Sequence, residues 1–398
     1  MEPFDLRKYL KHPPNAFSKE QLTMRAKKYG FTQPQFLELL AWDYELVAQL
    51  QAANDKLILK GGAAVQLYLP PEVQRSSVDI DFIAPGIDET GIELIMGQVR
   101  SQLAMLTHFR AERLAPKSPE LKLPMLTYII TLPSSIGQMG KDTCRIKIDF
   151  LLANYAPPIT NIPDVETVAI RASGVKAESL GSLIGDKLCT LAIGTIGIRR
   201  LQDYPKHLYD LELLAYLLDY GSKAFEDSLE SMHQIIPFES KIRGTRYSLE
   251  EVLASVEKTA TGYSAIDLSN PAQKMADARE NLDNFQQIYL PKPQKKPYYE
   301  WSIKALKVRY LAKLAKLTDD AGPEEALKAL KEAKQLEQRL ANLRGKELED
   351  AKQKLLMKIN KNEFDASSLK EMRQKPIRRI YWQVLEDANS PKELKEII

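Results

Sequence analysis

Two short motifs near the start of the chain contain the residue types that phosphate chemistry needs. Gly61 and Gly62 follow an apolar, β-prone run and precede a short apolar segment, as at a turn from a strand into a helix. Glycine has no Cβ, so backbone N–H groups can approach an anion there, and the positive end of the next helix favours the same anion. Asp79 and Asp81 alternate with apolar residues, so their carboxylates leave one face of a strand. Because carboxylate oxygens suit Mg²⁺, the two motifs predict a triphosphate cradle beside a metal site.

Each motif alone has a simpler explanation. A Gly-Gly pair is usually only a turn, and an Asp-x-Asp is more often the solvated end of a strand. The combination is more specific, because both aspartates lie inside an apolar strand where unpaired charge is costly. The joint arrangement therefore favours a functional site.

Together these residues resemble the K-G-G…R-x-S-x-D-I-D-F signature of the AbiEii/AbiGii toxin family. This family is a branch of the nucleotidyltransferase superfamily that also includes the MenT toxins. Most of the superfamily has Gly-Ser at the turn, whereas Gly-Gly is common in the AbiEii branch. The resemblance covers roughly residues 55–220. The matching positions are Lys60, Gly61, Gly62, Arg75, Ser77, Asp79, Asp81 and Phe82.

The resemblance implies an α+β fold, with a nucleotidyltransferase (polymerase-β-like) mixed-sheet core followed by a largely helical C-terminal region. It also implies an NTP substrate. The residues that it assigns to nucleotide binding are Lys60, Gly61, Gly62, Arg75, Ser77 and Lys187.

Asp149 is the predicted third carboxylate. It shares one face of an alternating segment with Arg145 and Lys147, and the superfamily places its third acidic residue on such a strand. An isolated Asp in such a strand usually faces solvent, so the prediction depends on this strand lying beside Asp79 and Asp81. Three carboxylates would hold two Mg²⁺ ions, one activating an acceptor hydroxyl and one bridging the triphosphate and the leaving pyrophosphate.

Two further catalytic residues follow from the resemblance alone. The family has a lysine in a helix ahead of a D-L-Y-D-L-like helix, which points to Lys187 and Asp210. Lys187 would hold the triphosphate, and Asp210 would orient Lys187 or position the acceptor. Without the resemblance, we would expect Lys187 to be an ordinary exposed lysine and Asp210 to lie on the surface of its helix. The chain departs from the family at Lys206-His207, where members have Arg-Asp; the nearby Asp203 is a candidate replacement.

Periodicity and turn residues predict a mixed α/β order followed by helices. Prolines between residues 290 and 297 predict a linker. The predicted regions are an N-terminal helical segment (1–54), a nucleotidyltransferase core (55–175), a helical domain completing the active site (176–290) and a basic helical C-terminal region (291–398). The main predicted helices cover residues 34–53, 89–106 and 177–193, and the main strands cover 57–59, 79–83, 109–114, 126–132, 145–152 and 167–172.

Composition describes an ordinary globular protein. Hydrophobic residues make up 44% and charged residues 27% of 398, which does not indicate general disorder. Two cysteines, Cys144 and Cys189, give no disulfide framework or metal-ligand spacing. With no secretory pattern or membrane-length apolar run, we expect a cytoplasmic protein that does not insert in a membrane.

The basic charge lies at the C-terminal end. From residue 291 onward there are 25 Lys and Arg against 17 Asp and Glu, whereas the whole chain has a net charge of only +3. Mixed charges there usually form a solvated helix face. The alternative is nucleic-acid binding, in which clustered basic and aromatic side chains grip phosphates and stack on a base. That cluster is Lys375, Arg378, Arg379, Tyr381 and Trp382.

The leading hypothesis is a Mg²⁺- and NTP-dependent nucleotidyltransferase toxin that modifies RNA, with the tRNA 3′ end as the acceptor that the resemblance implies. Toxin–antitoxin and abortive-infection roles in phage defence, with a cognate antitoxin as partner, are likewise implied by resemblance. Two alternatives stay open. One is nucleotidylation of a protein or small molecule, and the other is a non-catalytic module that binds RNA or a partner.

Overall fold

The computed structural model describes residues 9–115, 124–138, 141–269, 274–360, 364–388 and 391–395. The first eight residues of the predicted N-terminal segment lie outside this described part. The chain forms two compact units. The first comprises residues 1–183 with 286–295, and the second comprises residues 184–285 with 296–398.

A mixed sheet of seven strands, counted over the described residues, forms the centre of the first unit. Its spatial order is β3-β4-β5-β2-β1-β9-β6, so β2 lies in the middle, parallel to β5 and antiparallel to β1. A separate hairpin pairs β7 with β8. The strands are β1 (Ile58–Lys60), β2 (Asp79–Ile83), β3 (Arg110–Arg113), β4 (Met125–Gln138), β5 (Lys141–Leu151), β6 (Ile159–Ile162), β7 (Val165–Glu166), β8 (Arg171–Ala172) and β9 (Val175–Glu178).

The helices of the first unit lie mostly where the sequence predicts them. The Ser18 side chain accepts from the Gln21 N–H at the first helix, and Gly30 ends that helix with a φ of +84°. The second helix has the predicted bounds. The helices are α1 (Lys19–Tyr29), α2 (Pro34–Ala53), α3 (Gly61–Tyr68), α4 (Glu89–Leu103) and α5 (Leu180–Leu191), the last of which continues into the second unit.

Helix α2 is buried on nearly every side, although its sequence predicts one apolar face. Two carboxylates of this helix, Glu38 and Glu45, have partners from segments that cover it. Glu38 accepts from the Ser134 hydroxyl at 2.5 Å and from the Ser135 N–H at 2.6 Å. Glu45 lies 2.8 Å from His12 Nδ1. Polar residues on α2 therefore face other protein groups, which a helical pattern alone cannot show.

The sequence prediction missed strands β6, β7 and β9, and its strand over 167–172 is wrong except at β8. Residues 177–178 were predicted as the start of a helix, but they belong to β9, and α5 begins at Leu180. Ala177 pairs with Leu59 of β1 and with Thr160 of β6. Two neighbouring strands thus override the weak intrinsic strand preference of this segment.

The second unit is helical. Helix α10 is its central element and packs against α6, α7, α8, α11 and α14. Proline usually breaks a helix, but Pro237 lies inside α7. Residues 325–358, which the sequence allows as one long helix or as a hairpin broken near Gly345, form two helices that meet there. The helices are α6 (Tyr204–Glu212), α7 (Lys223–Ile242), α8 (Leu249–Ser264), α9 (Lys274–Tyr289), α10 (Tyr298–Ala321), α11 (Pro323–Asn342), α12 (Gly345–Lys358), α13 (Ala366–Met372) and α14 (Ile377–Asp387), and a π-helical segment (Leu213–Leu217) continues α6.

The end of α6 is held by a buried ion network. Glu212 lies 3.1 Å from Lys307 and 2.5 Å from Lys304, both on α10. Burial alone would raise the pKa of Glu212, but the two lysines together lower it to about 2. The carboxylate is therefore charged at neutral pH and ties α6 to α10.

The basic and aromatic cluster near the C-terminus belongs to the core of the second unit. Arg379, Tyr381 and Trp382 are fully buried. Arg379 lies 3.5 Å from Asp267, and Arg378 lies 2.8 Å from Glu337. The prediction that these side chains grip a nucleic acid is wrong, because acidic partners and helix packing already occupy them.

The predicted α+β class is confirmed, with a mixed-sheet core followed by a helical C-terminal region. Within the part of the chain that the structure describes, no helix has the length and apolar character that crossing a membrane requires.

Candidate active site

The predicted carboxylates lie on one face of the central strands. Strands β2 and β5 are parallel neighbours, with Asp81 opposite Asp149 and Asp79 opposite Lys147. Alternation places Asp79 and Asp81 on the same face of β2, and adjacent strands are about 4.8 Å apart. All four side chains are half-buried. The prediction of Asp149 as the third carboxylate required its strand to lie beside Asp79 and Asp81. Strand β5 does so, and its register brings Asp149 next to Asp81.

Asp79, Asp81 and Asp149 form a carboxylate row on this face, and polar groups of β1 and β4 extend it across four strands. Lys60 of β1 is opposite Asp81, and Thr127 of β4 is opposite Asp149. The Thr127 hydroxyl donates to Asp149 Oδ1 at 2.7 Å, and Lys147 Nζ lies 2.8 Å from Asp149 Oδ2. The Asp149 carboxylate thus contacts the Lys147 ammonium and the Thr127 hydroxyl.

The carboxylates repel one another. Burial, then the charge of Asp149, raises the pKa of Asp81, while Lys60 partly offsets this effect. Burial opposes the charge of Lys147, but its hydrogen bond to Asp149 and its attraction to the carboxylates raise its pKa. This face of the sheet therefore has an excess of negative charge, which a bound cation would reduce.

The Gly-Gly turn joins β1 directly to α3, as the sequence predicts. Gly61 has a φ of +73°, and a Cβ built on it would lie 2.3 Å from Asp81 Oδ2. A Cβ on Gly62 would lie 2.8 Å from Arg75 Nη2 and 3.0 Å from Ser77 Oγ. Only glycine therefore fits at Gly61, and the turn, Arg75, Ser77 and Asp81 are immediate neighbours.

Replacing Gly61 by Ala should remove activity and destabilise the first unit. The new Cβ would displace the Asp81 carboxylate, and a left-handed backbone costs about 1–2 kcal/mol for a residue other than glycine. We expect an unfolding free energy lower by about 2–4 kcal/mol in a urea titration. Gly86→Ala is the matched control, because Gly86 has a φ of +66° with nothing within 4 Å. Equal losses in the two variants would contradict a steric role for Gly61.

The remaining residues of the predicted nucleotide motif are held together beside the turn. Arg75 is buried, and its Nη1 donates to the Ser76 carbonyl at 2.8 Å. Gln66 of α3 accepts from the Arg75 N–H at 2.9 Å and donates to the Gly62 carbonyl at 3.2 Å. These bonds fix the Arg75 segment against the first turn of α3.

In the second unit the structure brings together the two residues predicted there. Lys187 of α5 and Asp210 of α6 are buried, and Lys187 Nζ lies 3.3 Å from Asp210 Oδ2. Lys187 Nζ also lies 3.4 Å from His207 Nδ1. The lysine is therefore not the exposed side chain that a helix pattern alone would suggest. Asp203, the candidate replacement for an acidic residue, instead pairs with Lys206 at 3.2 Å.

One family accounts for the whole set of motifs. The model of the family described as "Nucleotidyl transferase AbiEii toxin, Type IV TA system" matches residues 45–292. The chain belongs to this family. Every predicted site residue lies inside the AbiEii match, which extends beyond the region that sequence motifs covered. The chain is therefore a nucleotidyl transferase of a toxin–antitoxin family.

Solved structures that match this AbiEii chain include two distant neighbours. JHP933 from Helicobacter pylori is 16% identical, with a TM-score of 0.38, over 78% of this chain and 99% of that one. A second H. pylori protein, assigned provisionally as a nucleotidyltransferase, is 16% identical, with a TM-score of 0.39, over 70% and 92% of the two chains. No curated protein matches the chain.

The AbiEii carboxylates fit a divalent cation by their chemistry. Asp79 and Asp81 offer hard oxygen ligands from one face of β2, where negative charge is in excess. Asp149 fits only if it exchanges its contact with Lys147 for the cation. Over the described ranges, no three or more His, Cys, Asp or Glu side chains already form a metal-binding group. The site is therefore suited to a cation but is not preassembled around one.

Sequence analysis missed one buried carboxylate near this site. Asp43 of α2 is fully buried, and neither of its oxygens has a hydrogen-bond partner among the described residues. Burial, followed by the charges of Asp79 and Asp81, raises its pKa well above the ordinary value. The only sequence signal was a charged residue in a largely apolar helix.

Replacing Asp43 by Asn should change how stability depends on pH. A raised pKa in the folded state means that the folded protein binds the extra proton, so wild-type stability falls as the pH rises above about 4. The Asp43→Asn variant has no carboxyl group at this position, so its stability does not fall for this reason. The difference in unfolding free energy, variant minus wild type, should grow between pH 4 and pH 8 by at most about 1.4 kcal/mol per pH unit. Urea titrations at several pH values measure it. Asp142→Asn, at an exposed aspartate, is the control, and a flat difference for Asp43→Asn would refute the raised pKa of Asp43.

Proposed function

We propose that this AbiEii chain transfers a nucleotide from an NTP to an RNA acceptor, the tRNA 3′ end, in a reaction that depends on Mg²⁺. The observation that supports this most directly is the shared face of Asp79, Asp81 and Asp149 beside the Gly61 turn. Two parallel neighbouring strands present these carboxylates directly beside the glycine turn. Family membership supplies the reaction class.

The proposed roles follow from position and chemistry. Asp79 and Asp81 would hold Mg²⁺, which when bound neutralises phosphate charge and lowers the pKa of a coordinated hydroxyl. Asp149 would lie on the acceptor side. The N–H groups of the first turn of α3, at Gly61 and Gly62, would donate to phosphate oxygens. Lys187, held by Asp210, would supply positive charge to the triphosphate.

The bond changes are those of a simple substitution at phosphorus. The acceptor hydroxyl oxygen forms a bond to the α-phosphorus, and the bond from that phosphorus to the bridging oxygen of the β-phosphate breaks. Pyrophosphate leaves with that electron pair, and the hydroxyl proton passes to solvent. Positive charge and N–H donors near the phosphates favour this step because negative charge develops on the leaving oxygen.

An assay with labelled nucleotides tests the acceptor class. The protein would be incubated with each α-³²P-NTP, Mg²⁺ and a total cell extract, and the products treated with RNase or with protease. We expect label in RNase-sensitive material of tRNA size, released by trimming of the 3′ end. Label that only protease removes, or that remains small, would favour the protein or small-molecule alternative. Mg²⁺-dependent NTP binding without any transfer would favour a non-catalytic module.

The biological setting is proposed on the same basis. A type IV toxin–antitoxin family implies a cognate antitoxin. We propose that this chain acts in the cytoplasm, inhibits growth through RNA modification and serves in abortive infection against phage. Growth arrest on expression, relieved by the antitoxin encoded beside it, is the expected result.

A further inference from the structure

His207 contacts the buried lysine of the second unit. Lys187 Nζ lies 3.4 Å from His207 Nδ1 and 3.3 Å from Asp210 Oδ2. His207 and Asp210 are three residues apart in α6, so both lie on the face of that helix that meets Lys187. The lysine therefore has a neutral ring and a carboxylate on the same side.

The proton positions follow from the chemistry of the two groups. An ammonium group has three N–H donors and no acceptor, so His207 Nδ1 must be the acceptor in this contact. The neutral ring then has its proton on Nε2. A doubly protonated ring would place two cations 3.4 Å apart. This environment thus selects one tautomer of His207.

His207 lies at the position where this chain departs from its family. A carboxylate there would add a second negative charge beside Lys187, whereas the ring accepts a hydrogen bond and adds no charge. We propose that His207 is a positioning residue that fixes the orientation of the Lys187 ammonium by accepting its hydrogen bond, without adding a negative charge beside it. This inference rests on the proposed nucleotidyl transfer.

Packing alone does not explain the contact. His207 is only half-buried, so its ring contributes less burial than the fully buried Lys187 and Asp210. Like Asp210, it places an acceptor atom within reach of Lys187 Nζ, but the neutral ring adds no negative charge. An uncharged side chain with an acceptor at the same place should therefore replace it, and an apolar one should not.

Two substitutions separate these possibilities. His207→Asn retains an acceptor near the position of Nδ1, and His207→Leu removes it. We expect His207→Leu to lower kcat/KM for the NTP about tenfold, the low end for a hydrogen bond to a charged group. His207→Asn should stay within about twofold of wild type by the same reasoning. His233→Leu, at an exposed histidine of α7, is the matched control. Unfolding midpoints of all variants should agree.

A second measurement does not depend on activity. ¹⁵N NMR of the His207 ring should show an unprotonated Nδ1 and a protonated Nε2 at neutral pH. The inference is overturned if Nδ1 carries the proton, if His207→Leu transfers nucleotide as well as wild type, or if His207→Asn is as impaired as His207→Leu. Those results leave the proposed function intact when wild type is active. Absence of transfer by wild type with every NTP would overturn the proposed function itself and the role of His207 with it.

Discussion

Replacing Asp79 by Asn is expected to lower nucleotide transfer by about a thousandfold while the protein stays folded. The substitution keeps the shape of the side chain but removes a charge from the face that β2 and β5 share. A cation that neutralises phosphate charge loses a ligand. Repulsion within the carboxylate row also falls, because the charge of Asp79 contributes to the raised pKa of Asp81. The unfolding midpoint should therefore stay the same or rise.

Two measurements separate this effect from damage to the fold. Transfer from α-³²P-NTP to RNA reports activity, and Mn²⁺ binding followed by electron paramagnetic resonance reports the cation site. Asp142→Asn is the control, because Asp142 is an exposed aspartate at the start of β5. It should match wild type in both measurements. Transfer by Asp79→Asn at the wild-type rate would exclude the carboxylate row as the catalytic centre.

Replacing Lys187 by Met should have the second largest effect, and it should act on both activity and stability. The change removes the charge proposed to stabilise the triphosphate, which we expect to lower transfer by about 100- to 1,000-fold. It also leaves Asp210 buried beside an apolar side chain. Breaking a buried ion pair by removing one partner costs about 3–5 kcal/mol, so the unfolding free energy of the second unit should fall.

A double variant distinguishes the two consequences. Lys187→Met combined with Asp210→Asn removes both charges, so it should recover most of the lost stability but none of the activity. Urea titration and the RNA-labelling assay, applied to the single and double variants, make this comparison. If activity returned together with stability, Lys187 would be a structural residue and its proposed role would fail.

The two predictions concern residues that the sequence identified for different reasons. Asp79 and Asp81 stood out because strand alternation places them on one face, and this follows from backbone geometry alone. Lys187 and Asp210 stood out only by resemblance, because no local pattern distinguishes a buried lysine in a helix from an exposed one. The structure shows that the pair is buried, so we expect removal of either charge alone to lower stability.

Other features had no usable signal in the sequence. The cluster around Arg379 has the composition of a nucleic-acid surface, yet Asp267 and Glu337 occupy its charges and helix packing covers its rings. Those partners come from segments distant in the chain. Asp43 gives the opposite case, a carboxylate that the fold buries without a hydrogen-bond partner among the described residues. Neither outcome can be read from local spacing, because both depend on which segments meet.

By itself, the sequence determined the local geometry of the site. Period-two alternation aligned Asp79 with Asp81, and paired glycines marked the turn from β1 into α3. The tertiary structure alone decided which strand lies beside β2, the register that sets Asp149 opposite Asp81, and the contact of Lys187 with His207 and Asp210. The physical reason is the range of the forces involved. Backbone sterics act over a few residues, whereas strand pairing and buried charge contacts join residues whose distance along the chain has no fixed relation to their distance in space.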